Sequence, residues 1–290
     1  MLSYQHIYHA GNFADVHKHA ILAQILKALR AKTAPLAVLD THAGRGLYDL
    51  TSAEAGKNRE YQHGIERFWR ARDTAPPALR PYLDVVARYN DGDAVTRYPG
   101  SALMARDMLR PSDKLTAIER HPGEYESLRQ SLAGRPHTKI VQADGFKELP
   151  LSVPFAERRG LVIIDPSYEI KSEYADLPRQ LLRAWKAWPQ GVYFIWYPIM
   201  QAQGHRLMLS EMLKAGIRDV LVSEIRLEKP PETHFRMTGA GVAIVNPPWP
   251  DAVLNDVTQA VARNLAEKTF GDVFWLDNLR IDPETGLIAP

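Results

Sequence analysis

The chain has 290 residues, 45% of them hydrophobic and 24% charged, which is typical of a folded globular protein and excludes a disordered chain. Cysteine is absent and the net charge is only +2, so disulfide scaffolds, thiol nucleophiles and cysteine-ligated metals are excluded, and nucleic-acid binding would need a local basic patch. No apolar run reaches the roughly 18 residues of a membrane span, so we expect a soluble, cytoplasmic protein with no membrane partner.

The first pattern after a polar arm over residues 1–14 is helical. Apolar residues at helical spacing predict a helix over 15–31, with Asp15 as its N-cap. The same spacing returns late in the chain and predicts further helices over residues 174–188, 203–215 and 251–267.

Short apolar runs lie between these helices and predict strands at residues 36–39, 115–118, 139–142, 161–164, 192–196, 220–223 and 241–245. The first run ends at Asp40 and leads into a glycine-containing turn, residues 41–46, which is typical of the opening of a nucleotide-binding α/β unit. Because the strands are apolar on both faces and alternate with helices, we expect an α/β fold with a mostly parallel central sheet covered by helices on both faces.

One interval is too long for a simple unit of this type. In such a unit an acidic residue follows the second strand about 20 residues beyond the glycine turn. Here the acid after the next convincing strand is Glu119, which lies 79 residues beyond Asp40. The excess predicts a helical insertion subdomain over residues 50–98, within a single domain that spans residues 1–290.

Polar residues follow the predicted strands at their carboxyl ends: Asp40 with His42, then Glu119, then Asp144 with Gly145, then Asp165. Ligands of open α/β sheets bind at that edge, so we expect these side chains to share one site. Glu119 is placed to accept the two ribose hydroxyls of a nucleoside, and Asp144 to accept an adenine amino group. Gly44 lets the backbone approach a ligand without a Cβ in the way.

The most specific motif is Asp165-Pro166-Ser167-Tyr168, directly after a predicted strand. It resembles the D-P-P-Y tetrad of amino methyltransferases, with Ser167 in place of the second proline. An adenine amino group is a poor nucleophile because its lone pair is delocalised into the ring. The Asp165 carboxylate and the Pro166 carbonyl are two acceptors for its N–H groups, and the Tyr168 ring offers a face for a base that has left its stack.

Other strings extend this resemblance over nearly the whole chain: Leu2-Ser3-Tyr4, His9-Ala10-Gly11-Asn12, Asp40-Thr41-His42-Ala43-Gly44, Tyr98-Pro99-Gly100-Ser101, Ala143-Asp144-Gly145-Phe146 and Val245-Asn246-Pro247-Pro248-Trp249. Through them the chain resembles the bacterial 23S rRNA adenine-N6 methyltransferase family known as RlmJ. The resemblance implies a Rossmann-like class I methyltransferase fold with a helical insertion, S-adenosyl-L-methionine as cofactor, and methylation of one adenine of 23S rRNA, either free or in an assembly intermediate.

The resemblance also implies roles for individual residues. The positions that match the family's cofactor contacts are His19, His42, Ser101, Glu119, Asp144, Gly145 and Asp165. Asp165 also matches the catalytic residue, and Tyr4 matches a contact to the RNA substrate. His6 on the same arm and Lys18 just beyond it are further candidates for the substrate RNA. We expect a monomer and no metal.

Three other functions are compatible with parts of the sequence. Five of the ten histidines lie in the first 42 residues, beside Asp15 and Asp40, which is compatible with a metal-dependent nuclease acting on DNA. Basic and aromatic residues of the insertion could instead form a non-catalytic RNA-binding module. An NAD-dependent dehydrogenase would share the acid at the strand end, but the turn lacks the third glycine of the dinucleotide motif.

Overall fold

A computed structural model of the chain describes residues 4–229, 237–265 and 268–289. Its strands, in chain order, are β1 (Ala37–Asp40), β2 (Leu47–Asp49), β3 (Arg97–Pro99), β4 (Lys114–Glu119), β5 (Thr138–Gln142), β6 (Gly160–Ile164), β7 (Val192–Met200), β8 (Val220–Leu227), β9 (Met237–Val245) and β10 (Thr269–Trp275). Its helices are α1 (Phe13–Arg30), α2 (Ala53–Asn58), α3 (Ile65–Arg70), α4 (Arg80–Val86), α5 (Ser101–Met108), α6 (Pro122–Ser131), α7 (Gly145–Glu148), α8 (Glu173–Ala187), α9 (Gly204–Lys214) and α10 (Asp251–Asn264).

Eight strands form one sheet in the order β10-β8-β9-β7-β6-β1-β4-β5. The strand β1 lies between β6 and β4 and pairs parallel with both, with Ala37 opposite Gly160 on one side and Lys114 on the other. The strands β9 and β10 run antiparallel to their neighbours. The mostly parallel α/β architecture is therefore confirmed, and the carboxyl ends of β1, β4, β5 and β6 meet at one edge.

Side chains of the central strands bury both faces of the sheet, as their apolar composition predicts. In β6, Leu161 and Ile163 belong to the core under α1, α5 and α10, whereas Val162 and Ile164 belong to the core under α8 and α9. The seven predicted strands are all present. The prediction missed the short strands β2 and β3 and the edge strand β10, which pairs with β8. The predicted helix over 251–267 ends at Asn264, and residues 266 and 267 lie outside the described residues.

The predicted N-cap of the first helix is wrong. α1 begins at Phe13, and the side chain of Asn12 caps it by accepting the N–H of Asp15 at 2.9 Å. Every residue from Phe13 to Leu26 is buried, including polar ones in the first two turns, so the apolar periodicity does not mark where the helix begins. The Asp15 carboxylate is thereby left free to bind other groups.

Residues 50–98 leave and rejoin the main body through a two-stranded antiparallel ribbon in which Tyr48 of β2 lies opposite Tyr98 of β3. Between these strands lie the short helices α2, α3 and α4, of which α4 packs against α1. The Gln24 side chain of α1 donates a hydrogen bond to the Ala78 carbonyl at 2.7 Å. Buried residues of this segment, such as Tyr82, belong to the same core as α1.

Candidate active site

A pocket holding about 1050 Å³ of space, including its open mouth, lies at the carboxyl edge of β1, β4, β5 and β6. Its walls include every site residue predicted from the sequence except Tyr168: Tyr4, His6, Lys18, His19, His42, Gly44, Ser101, Glu119, Asp144, Gly145, Asp165 and Pro166. Residues far apart in the sequence, from Tyr4 to Pro166, therefore lie around one pocket.

The turn after β1 is hydrogen-bonded to the end of β4. Gly44 has φ +61°, a conformation that glycine adopts without strain, and its N–H donates to a carboxylate oxygen of Glu119 at 2.9 Å. The other carboxylate oxygen accepts the N–H of His121 at 2.6 Å. Burial raises the pKa of Glu119, and these two N–H groups act against that rise. Glu119 is therefore held in one orientation on the pocket wall.

A buried carboxylate beneath the pocket organises its floor. Asp40 accepts a hydrogen bond from the Ser101 hydroxyl at 2.6 Å and another from the His42 N–H at 3.2 Å. Burial raises the pKa of Asp40 to about 7, although the Ser101 bond lowers it. Burial lowers the pKa of His42 to about 4, so its imidazole is neutral at pH 7. Asp40 thus positions two predicted cofactor contacts.

The loop after β5 supplies a second wall. Asp144 caps α7 by accepting the Phe146 N–H at 3.1 Å, and its other oxygen lies 3.2 Å from Arg120. At Gly145 a Cβ atom would lie 2.0 Å from the carbonyl oxygen of Thr41, so no other residue fits between the two loops. The glycine is required because the loops after β1 and β5 approach each other there.

The ammonium of Lys18 lies at the centre of the pocket floor between two carboxylates. Its Nζ is 2.7 Å from Asp165 and 2.8 Å from Asp15, and it lies over the Trp196 ring at 5.4 Å. The residue is only 4% exposed. Burial lowers the pKa of Lys18, but the two carboxylates outweigh burial and raise it above its ordinary value. Lys18 is therefore a charged partner of Asp165.

A chain of contacts continues from this pair to the N-terminal arm. The His6 ring is 2.8 Å from Asp15 on one side and 2.8 Å from the Tyr4 hydroxyl on the other. Burial raises the pKa of Asp15, but His6 and Lys18 outweigh burial and bring it well below its usual range. The backbone N–H of Tyr4 donates to Glu169 at 3.1 Å. The arm is therefore tied to the loop that carries Asp165.

His19 provides a test of whether the pocket suits a ligand. Its Nδ1 is 2.7 Å from the Tyr98 hydroxyl, whereas its Nε2 is buried and has no hydrogen-bond partner among the described residues. Burial and the charge of Lys18 lower the pKa of His19 well below its usual range, so the ring is neutral. A buried nitrogen without a partner on a pocket wall is costly unless a ligand pairs with it. Together with the carboxylate of Glu119, this fits a nucleoside-containing cofactor.

The structure places Tyr168 behind the pocket wall. Its φ is +56°, its hydroxyl donates to the Trp196 carbonyl at 2.6 Å, and its ring lies 4.6 Å from that of Tyr174. The role of its ring as a stacking face for the base stays a prediction. Trp196, in the middle of β7, also lines the pocket, and sequence reasoning did not select it. Its position among apolar residues of a buried strand gave no signal that it faces a ligand.

The clustered histidines of the N-terminal region do not converge. His9 pairs with Glu60, His17 with Ser223, and His19 with Tyr98, each at 2.7–2.8 Å. Among residues 4–229, 237–265 and 268–289, no three histidine, aspartate or glutamate residues form a group that could hold a metal ion. Over the same residues, no helix is long and apolar enough to cross a membrane.

Comparison with known proteins connects this site to a family. The family model described as ribosomal RNA large subunit methyltransferase D, RlmJ, matches residues 33–276. Ribosomal RNA large subunit methyltransferase J from Escherichia coli (strain K12) is 40% identical over 250 residues, which is 86% of this chain and 88% of that protein. The protein of the same name from Haemophilus influenzae is 37% identical over the same shares.

A solved structure is similar to this chain in both sequence and fold. The crystal structure of protein LPL1258 from Legionella pneumophila is 33% identical in sequence and superposes with a TM-score of 0.85, covering 92% of this chain and 98% of that one. The parallel sheet, the pocket at its carboxyl edge and these matches define an S-adenosylmethionine-dependent methyltransferase. Within that class, the chain belongs to the RlmJ family. The nuclease, the binding module and the dehydrogenase are not favoured by this membership.

Proposed function

We propose that the protein methylates the exocyclic N6 amino group of an adenine in 23S rRNA, with S-adenosylmethionine as the methyl donor. The observation that carries this proposal is the Asp165 carboxylate, which opens the Asp165-Pro166-Ser167-Tyr168 turn at the end of β6, 2.7 Å from the buried Lys18. Its side chain keeps 13% of its surface exposed and faces a pocket suited to nucleosides.

Asp165 acts on the amino group by hydrogen bonding. Its Oδ2 accepts from Lys18, so Oδ1 takes one N–H of the adenine amino group. The Pro166 carbonyl takes the other N–H, and the two acceptors together draw the lone pair out of the ring and orient it. Positive charge develops on N6 as it is methylated, and the fixed carboxylate stabilises that charge. The proton that N6 must lose is accepted at Asp165.

The other wall residues hold the methyl donor. When bound, S-adenosylmethionine supplies an electrophilic methyl group on a positively charged sulfur. Glu119 would accept hydrogen bonds from its ribose hydroxyls and Asp144 one from its adenine amino group. The remaining wall is lined by His19, His42 and Ser101. Lys18 keeps the Asp165 carboxylate in one place without occupying both of its oxygens.

We infer that the RNA approaches over the N-terminal arm, where Tyr4 and His6 line the pocket mouth. The helical segment 50–98 lies beside this arm, because Glu60 binds both His9 and Asn12. Its shared core with α1 supports one domain over residues 1–290 with 50–98 as a subdomain. Because one chain supplies the described pocket walls, we propose that the monomer is active.

The test is single-turnover methylation of a short 23S rRNA hairpin by Asp165→Asn at saturating S-adenosylmethionine. The amide keeps the shape but removes the charge, so we expect the rate to fall about 100-fold or more. Cofactor affinity, measured by calorimetry, is expected to change less. The control is Asp176→Asn on α8, an acid paired with Arg179 outside the pocket walls. Full activity of Asp165→Asn would contradict the mechanism, and mapping rRNA methylation with and without the gene identifies the nucleotide.

A further inference from the structure

Glu173 is a carboxylate on the pocket wall that the proposed mechanism does not use. It is the first residue of α8, five positions beyond Tyr168, and its side chain lines the pocket. Its Oε2 atom is buried and has no hydrogen-bond partner among the described residues. The backbone N–H of Tyr168 stabilises the charged carboxylate, which ties Glu173 to the Asp165-Pro166-Ser167-Tyr168 turn.

The surroundings of Glu173 do not neutralise it. The charged groups that act on it are Glu169 on the preceding loop, Asp176 on its own helix and Asp144 after β5, and all three are acidic. Burial, followed by these neighbours, raises the pKa of Glu173 to about 6, although the Tyr168 N–H lowers it. The group is mostly ionised at pH 8. An ionised, buried oxygen without a donor is unfavourable, so this position suits a ligand that brings an N–H.

We propose that Glu173 recognises the exocyclic amino group of the cofactor's adenine and selects it against a base with a carbonyl oxygen at that position. The inference rests on the proposed function, in which the target amino group donates its two N–H groups to Asp165 and Pro166. The adenine of the cofactor is therefore the one with an N–H left for Glu173. Its expected neighbour Asp144 is close enough for its charge to act on Glu173.

A glutamate-to-glutamine change inverts this preference. In Glu173→Gln the Tyr168 N–H still needs an acceptor, so it donates to the amide oxygen. The amide nitrogen then lies where Oε2 lies in the wild type. The position then donates a hydrogen bond instead of accepting one. It opposes an amino group and favours a carbonyl oxygen, which is the group that inosine carries where adenosine carries its amino group.

The experiment measures binding of two matched ligand pairs by calorimetry at pH 8. S-adenosylhomocysteine and S-inosylhomocysteine probe the cofactor side, and adenosine monophosphate and inosine monophosphate, with S-adenosylhomocysteine already bound, probe the target side. For the S-adenosylhomocysteine and S-inosylhomocysteine pair we expect the wild-type preference for the amino ligand to fall about tenfold or more in Glu173→Gln. A fall for the monophosphate pair alone would overturn the assignment of Glu173 to the cofactor's adenine. Asp176→Asn, which removes a nearby charge outside the pocket walls, is expected to leave both preferences unchanged.

A purely structural role for Glu173 gives a different result. If Glu173 only braces the turn, Glu173→Gln weakens the amino and carbonyl ligands by the same factor, and both ratios stay at their wild-type values. That outcome overturns the proposal, as does the absence of any change. Thermal unfolding of the variant verifies that it is folded. Because binding requires no methyl transfer, wild-type methylation of the rRNA hairpin, measured separately, reports on the proposed function alone.

Discussion

Replacing Lys18 by methionine removes the ammonium and keeps a side chain of similar length. At an effective dielectric constant of about 20, unit charges 2.7 Å apart attract by about 6 kcal/mol before desolvation is subtracted. Removing one partner of a buried pair has a net cost of about 3–5 kcal/mol, because the remaining charge is left uncompensated. Asp15 retains His6 and the Gly11 N–H, so most of the loss falls on Asp165.

We therefore expect Lys18→Met to lower the free energy of unfolding by about 3–5 kcal/mol, measured by urea denaturation at pH 7.5. Asp165→Asn in the same chain removes the uncompensated charge. The double variant is therefore expected to be at least about 1.5 kcal/mol more stable than the sum of the two single effects predicts. Lys27→Met, on the exposed last turn of the same helix, is the matched control and is expected to change stability by less than about 0.5 kcal/mol. Additive effects of the Lys18 and Asp165 changes would refute the pairing argument.

Three further predictions concern the cofactor, pH and RNA. Glu119→Ala is expected to weaken S-adenosylmethionine binding about tenfold or more by calorimetry, because charge-assisted hydrogen bonds are lost; an unchanged dissociation constant would exclude a role in binding. The pKa of Asp40 is about 7 in the fold against an ordinary 3.8, so the folded state binds the proton more tightly and Asp40 costs stability as the pH rises from about 4 to about 7. The free energy of unfolding of Asp40→Asn, measured by urea denaturation, is therefore expected to rise by about 3–4 kcal/mol relative to that of the wild type between pH 4 and pH 8. The same pH dependence in both proteins would contradict the raised pKa of Asp40. Lys57→Ala with Arg59→Ala, both exposed beside the arm, is expected to reduce RNA affinity and its salt dependence but not cofactor affinity; a parallel loss of both would mean that the segment is structural.

The central sheet could be predicted from the sequence because its strands are buried on both faces and read as uninterrupted apolar runs. The edge strand β10 was missed because it alternates between half-buried and exposed residues and contains Gly271 and Asp272, which are unusual in strands. The strands β2 and β3 have three residues each, which is too short for a pattern. The start of α1 was misplaced because its first two turns contain buried polar residues, which interrupt the apolar spacing: Asp15, His17, Lys18 and His19.

The acids of the site could be predicted because topology alone brings the ends of parallel strands together. The position of Lys18 could not, since a lysine is rarely buried unless it is paired and its partner Asp165 lies 147 residues away. The sequence made Lys18 a candidate for the substrate RNA, and the structure places its ammonium between two carboxylates. Glu173 has no sequence signal at all, because its significance depends on an oxygen that the fold leaves without a donor.

The position of β1 in the middle of the sheet has a consequence for synthesis on the ribosome. Its partner β6 begins at Gly160, 123 residues after the Ala37 that it faces, and its other partner β4 begins at Lys114. At about 5–20 residues per second, β6 is translated roughly 6–25 s after β1. The strand β4 is complete at Glu119, but the other edge of β1 has no partner until β6 is made. The nascent chain therefore leaves one edge of its central apolar strand unpaired, and open to aggregation, until more than half of the protein has been made.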